Sequence, residues 1–165
     1  MSIPFVDLYA QYLALRKEID AAISETIKNS NFIRGPEVDL FEKDFSEKQG
    51  SKFCISCANG TDALYITMKA LGLGLKDEVI TTAHSWISTS ETITQTGANI
   101  VFCDTNLKDC LIDVSKIEQV ITPQTKGIIP VHLFGQAVDM DPLLEIAKKH
   151  KLWVIEDCAQ AHFAT

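Results

Sequence analysis

The tetrapeptide Asn59-Gly60-Thr61-Asp62 lies between an apolar segment and a helical one, a suitable place for an anion. The first N–H groups of a helix have no partner within the helix, and the helix dipole favours negative charge there. Gly60 would let a phosphate approach the backbone, and the Thr61 hydroxyl could donate a further hydrogen bond. Asn, Thr and Asp are also ordinary helix caps. The tetrapeptide alone therefore predicts either a phosphate site or a plain N-cap.

Asp157 and Trp86 each follow an apolar segment and could contact a flat cofactor. A carboxylate after a strand lies near a crevice, where it can pair with a cationic ring nitrogen such as the pyridinium of pyridoxal phosphate. The Trp86 ring could stack on such a ring. The alternatives are a solvated or capping carboxylate and a packed core aromatic. Glu156 points the other way on an extended chain, so only one of these two acids should face a site.

The pair Cys54-x-x-Cys57 has the spacing of a thiol redox motif. Cys54 lies between Phe53 and Ile55 in an apolar segment, and no second Cys-x-x-Cys pair completes a zinc site. We therefore expect buried, inert thiols, with a thiol redox protein as the alternative.

Several other functional motifs do not occur in the sequence. It contains neither G-x-x-x-x-G-K-[ST] nor G-x-G-x-x-G, and no G-x-S-x-G elbow supports a hydrolase. The four histidines lack metal-binding spacing, so no metal site is predicted. A structural role is expected for each, although His132 and His162 follow strands and could line a crevice.

Composition narrows the functional class further. The chain has 165 residues, 46% of them hydrophobic, and its length predicts one domain. A net charge of −7 without a basic run argues against nucleic-acid binding. No apolar stretch approaches the ~20 residues of a membrane span, and no leader pattern is visible. Five cysteines, an odd number, argue against a disulfide framework. The expected location is the cytoplasm, without a membrane partner.

Hydrophobic periodicity predicts alternating helices and strands. Helices are expected over about 8–29, around 38–45, and over 63–71, 85–97 and 139–150; strands are expected over 52–56, 77–82, 99–103, 126–131 and 152–155. Such alternation predicts an α/β fold with a mostly parallel sheet. Ligands of these sheets bind beyond the carboxyl ends of the strands, where the three polar clusters 59–62, 81–86 and 156–160 fall.

Taken together, these segments resemble one known family. The matching runs are Ile33-x-Gly35-Pro36, Ala58 to Leu64, Gly74-x-x-x-Asp77 to Thr81, Ile129 to Gln136 with Asp139-Met140-Asp141, and Val154 to His162. They occur in the order and at the spacing seen in the DegT/DnrJ/EryC1/StrS sugar aminotransferases. The resemblance implies the three-layer, aspartate-aminotransferase-like architecture of pyridoxal phosphate enzymes of fold type I, and a homodimer.

The resemblance also implies roles for six residues in binding pyridoxal phosphate. Gly60 and Thr61 would hold the phosphate, with Asp62 beside them. Trp86 would stack on the pyridine ring, and Asp157 would pair with its nitrogen. Gln160 would contact the ring hydroxyl oxygen. These roles agree with the separate interpretations of Thr61, Trp86 and Asp157 given above.

One departure from the family pattern concerns the Schiff-base lysine. The family places it in a Ser-x-x-Lys-like segment well beyond the Glu-Asp-x-x-Gln run, and no lysine here lies in such a segment. We therefore expect the catalytic lysine beyond Thr165. On this view residues 1–165 are the N-terminal part of the large domain, incomplete at its C-terminus. A helical segment would cover 1–50 and a βα core 51–165, and the C-terminal small domain would be absent.

The resemblance implies transfer of an amino group, usually from glutamate, to a nucleotide-linked keto sugar. The product would enter a surface polysaccharide, a glycan or an antibiotic sugar. A pyridoxal phosphate-dependent sugar 3-dehydratase of the same family is the nearest alternative. A non-catalytic fragment is another, and the 165-residue chain alone is expected to be inactive.

Overall fold

The computed structural model describes residues 3–164, and the chain divides into two compact units after Ser56. The first unit contains the helices α1 (Leu8–Lys28) and α2 (Pro36–Gln49). The Asp7 carboxylate caps α1 by accepting the Ala10 N–H at 2.9 Å. Gly35 precedes α2, and Gly50 ends it in the left-handed conformation, with φ 67°. Both predicted N-terminal helices are confirmed.

The described part of the first unit lacks a buried core. None of residues 3–56 is fully buried, although many carry large apolar side chains. The segment after α2 is instead held by a carboxylate: Glu42 accepts from the Ser56 N–H at 2.8 Å and from the Ser56 hydroxyl at 2.6 Å. These hydrogen bonds lower the pKa of Glu42.

The predicted strand over 52–56 is wrong. The segment joins no ladder among the described residues, and Phe53 and Ile55 are 72% and 84% exposed. Its alternating apolar pattern favours a strand locally, but a strand also requires a neighbour to accept its backbone hydrogen bonds.

The second unit is built on a four-stranded parallel sheet. The strands are β1 (Glu78–Thr82), β2 (Asn99–Cys103), β3 (Thr125–Ile129) and β4 (Trp153–Val154), in the order β2-β1-β3-β4. The helices are α3 (Gly60–Ala70), α4 (Ile87–Gln95), α5 (Val114–Val120) and α6 (Met140–His150), with a 3-10 turn at Leu133–Gly135. The predicted parallel α/β fold is confirmed. Helix α5, capped by Asp113, was not predicted.

Helices cover both faces of the sheet. Successive residues of a strand point to opposite faces, so neighbouring residues of one strand pack against different helices. Val79 and Ile129 pack in one buried cluster with Leu64 and Met68 of α3 and Ile93 of α4. Their chain neighbours Ile80 and Ile128 pack in a second cluster with Ile117 of α5 and Leu143 of α6. The predicted three-layer arrangement is therefore confirmed in the second unit.

Close packing fixes the register of the short strand β4. Gly127 of β3 pairs with Trp153, and a Cβ atom on Gly127 would overlap the indole ring. The chain continues the pairing past the strand ends through a parallel bridge between Val131 and Asp157. Among residues 3–164, no helix has both the length and the apolar character needed to cross a membrane.

Candidate active site

A cavity of about 310 Å³ lies in the second unit, beyond the carboxyl ends of β1, β3 and β4. This volume is at the lower end of the range for small-molecule sites. Five of the six predicted site residues line it: Gly60, Thr61, Trp86, Asp157 and Gln160. Asp62 does not. The topology thus gathers side chains that are up to 100 residues apart in sequence.

The N-terminus of α3 forms one wall of this cavity. Asn59 caps the helix: its Oδ1 accepts the Asp62 N–H at 2.9 Å, and its Nδ2 donates to the Asp62 carboxylate at 3.0 Å. The N–H groups of Gly60 and Thr61 have no acceptor among residues 3–164. A Cβ on Gly60 would meet no protein atom within 4 Å. The wall therefore offers two backbone donors in open space, while Asp62 is held by the cap.

Hydroxyl groups of α4 and the loop before it form the floor of the cavity. The Thr61 and Ser88 hydroxyl oxygens lie 2.8 Å apart and share a hydrogen bond. The Thr89 hydroxyl donates to Asp157 Oδ2 at 2.8 Å, and it lies 2.9 Å from the Ser85 hydroxyl. Because Thr89 has one hydroxyl proton, Ser85 must donate to Thr89. A directed chain of hydrogen bonds thus runs from Ser85 through Thr89 to Asp157.

Asp157 is held at both its side chain and its backbone. Its Oδ1 accepts the Ala159 N–H at 3.2 Å. Its own N–H donates to the Pro130 carbonyl at 2.9 Å, and its carbonyl accepts the His132 N–H at 3.1 Å. Each carboxylate oxygen keeps further acceptor capacity toward the cavity. Asp157 can therefore accept an N–H from a ligand without giving up these bonds.

Gln160 presents its amide in a defined orientation. Its Oε1 accepts the Phe134 N–H at 2.8 Å, so its Nε2 donors are left for the cavity. The Phe134 backbone is left-handed, with φ 58°, and Gly135 follows with φ 85°. A non-glycine residue in this region costs about 1–2 kcal/mol. This strained turn directs the Phe134 N–H at Gln160.

Trp86 immediately precedes α4 and is 74% exposed, so it is not a packed core residue. It lines the cavity as an open apolar surface on which a planar ring could lie. Glu156, in contrast, does not line the cavity. Only one of the two adjacent acids faces it, as expected from the alternation of side chains along an extended chain.

His132, Glu156 and Cys158 place ligand-type atoms within 4.8 Å of one another. The His132 Nδ1 accepts the Val138 N–H at 3.1 Å, so the neutral ring carries its proton on Nε2 and donates it to Glu156 Oε2 at 2.9 Å. Both ring nitrogens are thereby engaged. Burial raises the pKa of the Cys158 thiol, and the neighbouring carboxylates add to this effect. The geometry thus favours a hydrogen-bonded group over a metal site.

The structure corrects the expected burial of the Cys54–Cys57 pair. Cys54 is half-buried, and Cys57 is exposed and donates its thiol to the Asn59 carbonyl at 3.3 Å. All five cysteines are free. Cys103 is the fully buried one, and burial raises its pKa to about 11.

Two hydroxyl-bearing residues of the cavity, Ser88 and Thr89, lie outside the polar clusters that the sequence predicts for the site. The signal that could have revealed them is their spacing. Ser88 and Thr89 lie in the first turn of α4, three and four residues after Ser85, and all three carry hydroxyl groups. Hydroxyl groups at this spacing, just after the carboxyl end of a strand, indicate a binding site lined by polar side chains.

Comparison with family models gives one match, to the DegT/DnrJ/EryC1/StrS aminotransferase family over residues 13–165. One relative is the UDP-2-acetamido-2-deoxy-3-oxo-D-glucuronate aminotransferase of Pseudomonas aeruginosa, 44% identical over 99% of this chain and 45% of that protein. Another is the dTDP-3-amino-3,6-dideoxy-alpha-D-galactopyranose transaminase of Aneurinibacillus thermoaerophilus, 44% identical over 98% of this chain and 45% of that protein.

Solved structures show the same likeness. DesV of S. venezuelae in complex with a ketimine intermediate superposes with a TM-score of 0.95 at 38% identity, over 97% of this chain and 43% of that one. NtdA of Bacillus subtilis with bound cofactor PMP gives 0.91 at 36%, over 97% and 37%. A GDP-4-keto-6-deoxymannose-3-dehydratase with a trapped PLP-glutamate geminal diamine gives 0.82 at 26%, over 88% and 39%.

The chain thus spans somewhat less than half the length of the curated relatives it matches. The predicted aspartate-aminotransferase-like fold agrees with the superpositions on aminotransferases. The family model covers nearly the whole chain, and two relatives share 44% of its residues. The chain belongs to the DegT/DnrJ/EryC1/StrS aminotransferase family.

Proposed function

We propose that the protein is a pyridoxal phosphate-dependent aminotransferase that transfers an amino group from glutamate to a nucleotide-linked keto sugar. The observation that carries this proposal is the setting of Asp157. Its carboxylate lines a cavity that also contains Trp86, Gln160 and the open N-terminus of α3. An acid, an aromatic surface, an amide donor and an anion site are the groups needed to bind a phosphorylated pyridine.

The residues present fit this cofactor group by group. The unpaired N–H groups of Gly60 and Thr61 would bind the phosphate, aided by the Thr61 hydroxyl. Trp86 would cover one face of the ring. Asp157 would accept the ring N–H, and the Nε2 of Gln160, oriented by Phe134, would donate to the ring hydroxyl oxygen. When bound, pyridoxal phosphate supplies an electron sink for breaking bonds at the substrate carbon.

The residues of this chain would act by holding charge in place. Asp157 would keep a proton on the ring nitrogen, and the donors from Thr89 and Ala159 would prevent its carboxylate from turning away. No lysine among the described residues lines the cavity, so we assign no covalent role to residues 3–164. We propose that residues 1–165 contribute to the cofactor-binding large domain.

The names of the relatives support the choice of substrate. The names of the two relatives describe enzymes that transfer amino groups, one on a UDP-linked sugar and the other on a dTDP-linked sugar. The dehydratase alternative is supported by a structure that is only 26% identical, against 44% for the aminotransferases. That dehydratase was described with glutamate on its cofactor, which also supports glutamate as the donor here.

A homodimer in the cytoplasm is the remaining part of the proposal. The first unit exposes many large apolar side chains, among them Phe5, Tyr9 and Phe41, and surfaces of this kind are typical of protein–protein contacts. The five free cysteines fit a reducing compartment.

The experiment that tests the proposal uses the purified full-length protein. Amino transfer from glutamate is measured with UDP-linked and dTDP-linked 3-keto sugars, together with pyridoxal phosphate affinity. Asp157→Ala should nearly abolish transfer. Asp157→Asn should also reduce transfer, because the neutral asparagine amide is a weaker partner for the ring nitrogen. Sugar dehydration without transfer would support the dehydratase. Absence of cofactor binding, or near-normal transfer by both variants, would contradict the proposal.

The proposed binding of phosphate at the N-terminus of α3 is tested separately with Thr61→Val. This change removes one donor to a charged group, worth about 1.5–3 kcal/mol, so pyridoxal phosphate affinity should fall about tenfold to a hundredfold. Ser88→Ala is the matched control, because it removes the partner of Thr61 but keeps the Thr61 hydroxyl. Unchanged affinity in Thr61→Val would favour a plain helix cap.

A further inference from the structure

His132 is a buried titratable residue that the proposed chemistry does not use. It is 4% exposed and does not line the cavity. Both its ring nitrogens are bonded: Nδ1 accepts the Val138 N–H at 3.1 Å, and Nε2 donates to Glu156 Oε2 at 2.9 Å. A single neutral ring therefore links the loop after β3 to the segment after β4.

The same residue also bonds to the backbone beside Asp157. The His132 N–H donates to the Asp157 carbonyl at 3.1 Å. Its ring holds the side chain of Glu156, the preceding residue. Side chains of adjacent residues point in opposite directions on an extended chain. Holding Glu156 on the His132 side therefore directs Asp157 to the other side, toward the cavity.

The loop that carries Phe134 depends on the same ring. His132 begins the turn, and its Nδ1 accepts from Val138 at the far end of the loop, so the ring closes the loop on itself. Between these points Phe134, held at φ 58°, donates its N–H to Gln160. The orientation of Gln160 thus also depends on the loop that His132 closes.

We propose that His132 is a positioning residue that sets Asp157 and Gln160 for the ring of a pyridine cofactor, acting through Glu156 and the loop 132–138. This inference rests on the proposed function. It predicts a selective effect, because the phosphate-binding wall at Gly60 and Thr61 belongs to α3 and has no bond to His132 among the described residues. Changes at His132 should weaken ring binding and spare phosphate binding.

The test measures affinities of the full-length protein for pyridoxamine 5′-phosphate and for inorganic phosphate. His132→Leu removes both side-chain hydrogen bonds and should lower pyridoxamine phosphate affinity about tenfold, with phosphate affinity unchanged. His132→Gln places an amide donor near the position of Nε2, so it should recover most of the loss. Recovery by a conservative variant distinguishes positioning from general destabilisation.

A second pair of variants leaves the buried ring intact. Glu156→Ala removes the acceptor of the His132 Nε2 proton, whereas Glu156→Gln keeps an acceptor oxygen. The Glu156 side chain is 49% exposed, so the fold should tolerate both changes. Glu156→Ala should reproduce the selective loss and Glu156→Gln should not. This pair decides the question if His132→Leu does not fold.

A matched control is available elsewhere in the chain. His150 of α6 forms a similar bond to Glu118 of α5, with Nε2 and Oε1 2.8 Å apart, away from the residues that line the cavity. Glu118→Ala should leave both affinities unchanged. A wild-type protein that does not bind pyridoxamine phosphate would overturn the proposed function and this inference with it. If the wild type binds, equal loss of both ligands, or no loss, in His132→Leu and Glu156→Ala would overturn this inference alone.

Discussion

The hydrogen bond from Thr89 to Asp157 gives a sharp test of how the site is built. Thr89 is 1% exposed, and its hydroxyl donates to Asp157 Oδ2 at 2.8 Å. Thr89→Val keeps the shape of the side chain but removes the donor. Asp157 is only half-buried, so water can replace part of the lost bond. Ser85, whose hydroxyl donates to Thr89, is also partly exposed and can turn to water.

The expected loss of stability in Thr89→Val follows from the exposure of Asp157 and Ser85 to water. A hydrogen bond to a charged group contributes about 1.5–3 kcal/mol, and partial hydration of Asp157 places the loss near the lower end of that range. The extra methyl group of valine offsets part of it, by up to about 0.8 kcal/mol. We expect Thr89→Val to lower the free energy of unfolding by about 1 kcal/mol. It should also weaken pyridoxal phosphate binding, because Asp157 loses a bond that orients it.

Thr92 supplies a matched control on the same helix. It is also fully buried, but its hydroxyl donates to the Ser88 carbonyl of its own helix at 2.7 Å. That carbonyl keeps its backbone partner when the hydroxyl is removed. Thr92→Val should therefore change stability by less than about 0.5 kcal/mol and leave cofactor affinity unaltered.

The assay is urea unfolding of the full-length protein, with the slope m checked for each variant. Combining Thr89→Val with Asp157→Ala completes a double-mutant cycle. If the hydrogen bond acts as described, the two changes should show a coupling energy above the ~0.5 kcal/mol within which independent sites are additive. Additive effects, or equal losses in Thr89→Val and Thr92→Val, would show that the Thr89–Asp157 hydrogen bond makes no specific contribution.

Three further predictions concern packing, thiol reactivity and pH. Gly127→Ala should lower stability by about 1–3 kcal/mol in thermal unfolding, because its Cβ would overlap Trp153, and a smaller residue at 153 should restore part of the loss. Cys103, with its pKa raised to about 11 by burial, should stay unlabelled by iodoacetamide at neutral pH in mass spectra of the native protein, whereas the exposed cysteines react. Glu118 has a pKa lowered mainly by its hydrogen bond from Lys149, so it stabilises the fold above its ordinary pKa of 4.5; that contribution should fade as pH drops through the lowered pKa, and Glu118→Gln should reduce this acid-side loss in urea unfolding.

The elements that could be predicted from the sequence are those specified by local patterns. Alternation and helical spacing predicted all four strands of the sheet and five of the six α-helices, with ends shifted by a few residues. Helix α5 is a single short helix of seven residues, and it has too few turns for a clear periodic signal. The predicted strand over 52–56 is wrong for the opposite reason. Its local pattern is strong, but strand pairing depends on a neighbour that local sequence does not specify.

The candidate site also has a part that can be predicted from the sequence and a part that cannot. Strand ends and helix N-termini can be found in a sequence, and the residues there, Gly60, Thr61, Trp86, Asp157 and Gln160, are the ones that the topology gathers around one cavity. The partners that orient them follow no such rule. Thr89 supports Asp157 from a helix 68 residues earlier, and that pairing exists only once the sheet order is known.

The left-handed turn at Phe134 shows why such partners escape sequence reasoning. Phenylalanine has no preference for positive φ, so the residue type gives no sign of the turn. The turn persists because surrounding bonds compensate for its strain: Phe134 donates to Gln160, and His132 closes the same loop through Val138. Phe134→Gly should therefore relieve the strain yet keep the N–H that orients Gln160. Gln160→Leu should instead leave that N–H to water and, because this bond is exposed, lower stability by only about 0.5 kcal/mol in urea unfolding. A Gln160→Leu variant as stable as the wild type would show that the turn does not depend on this bond.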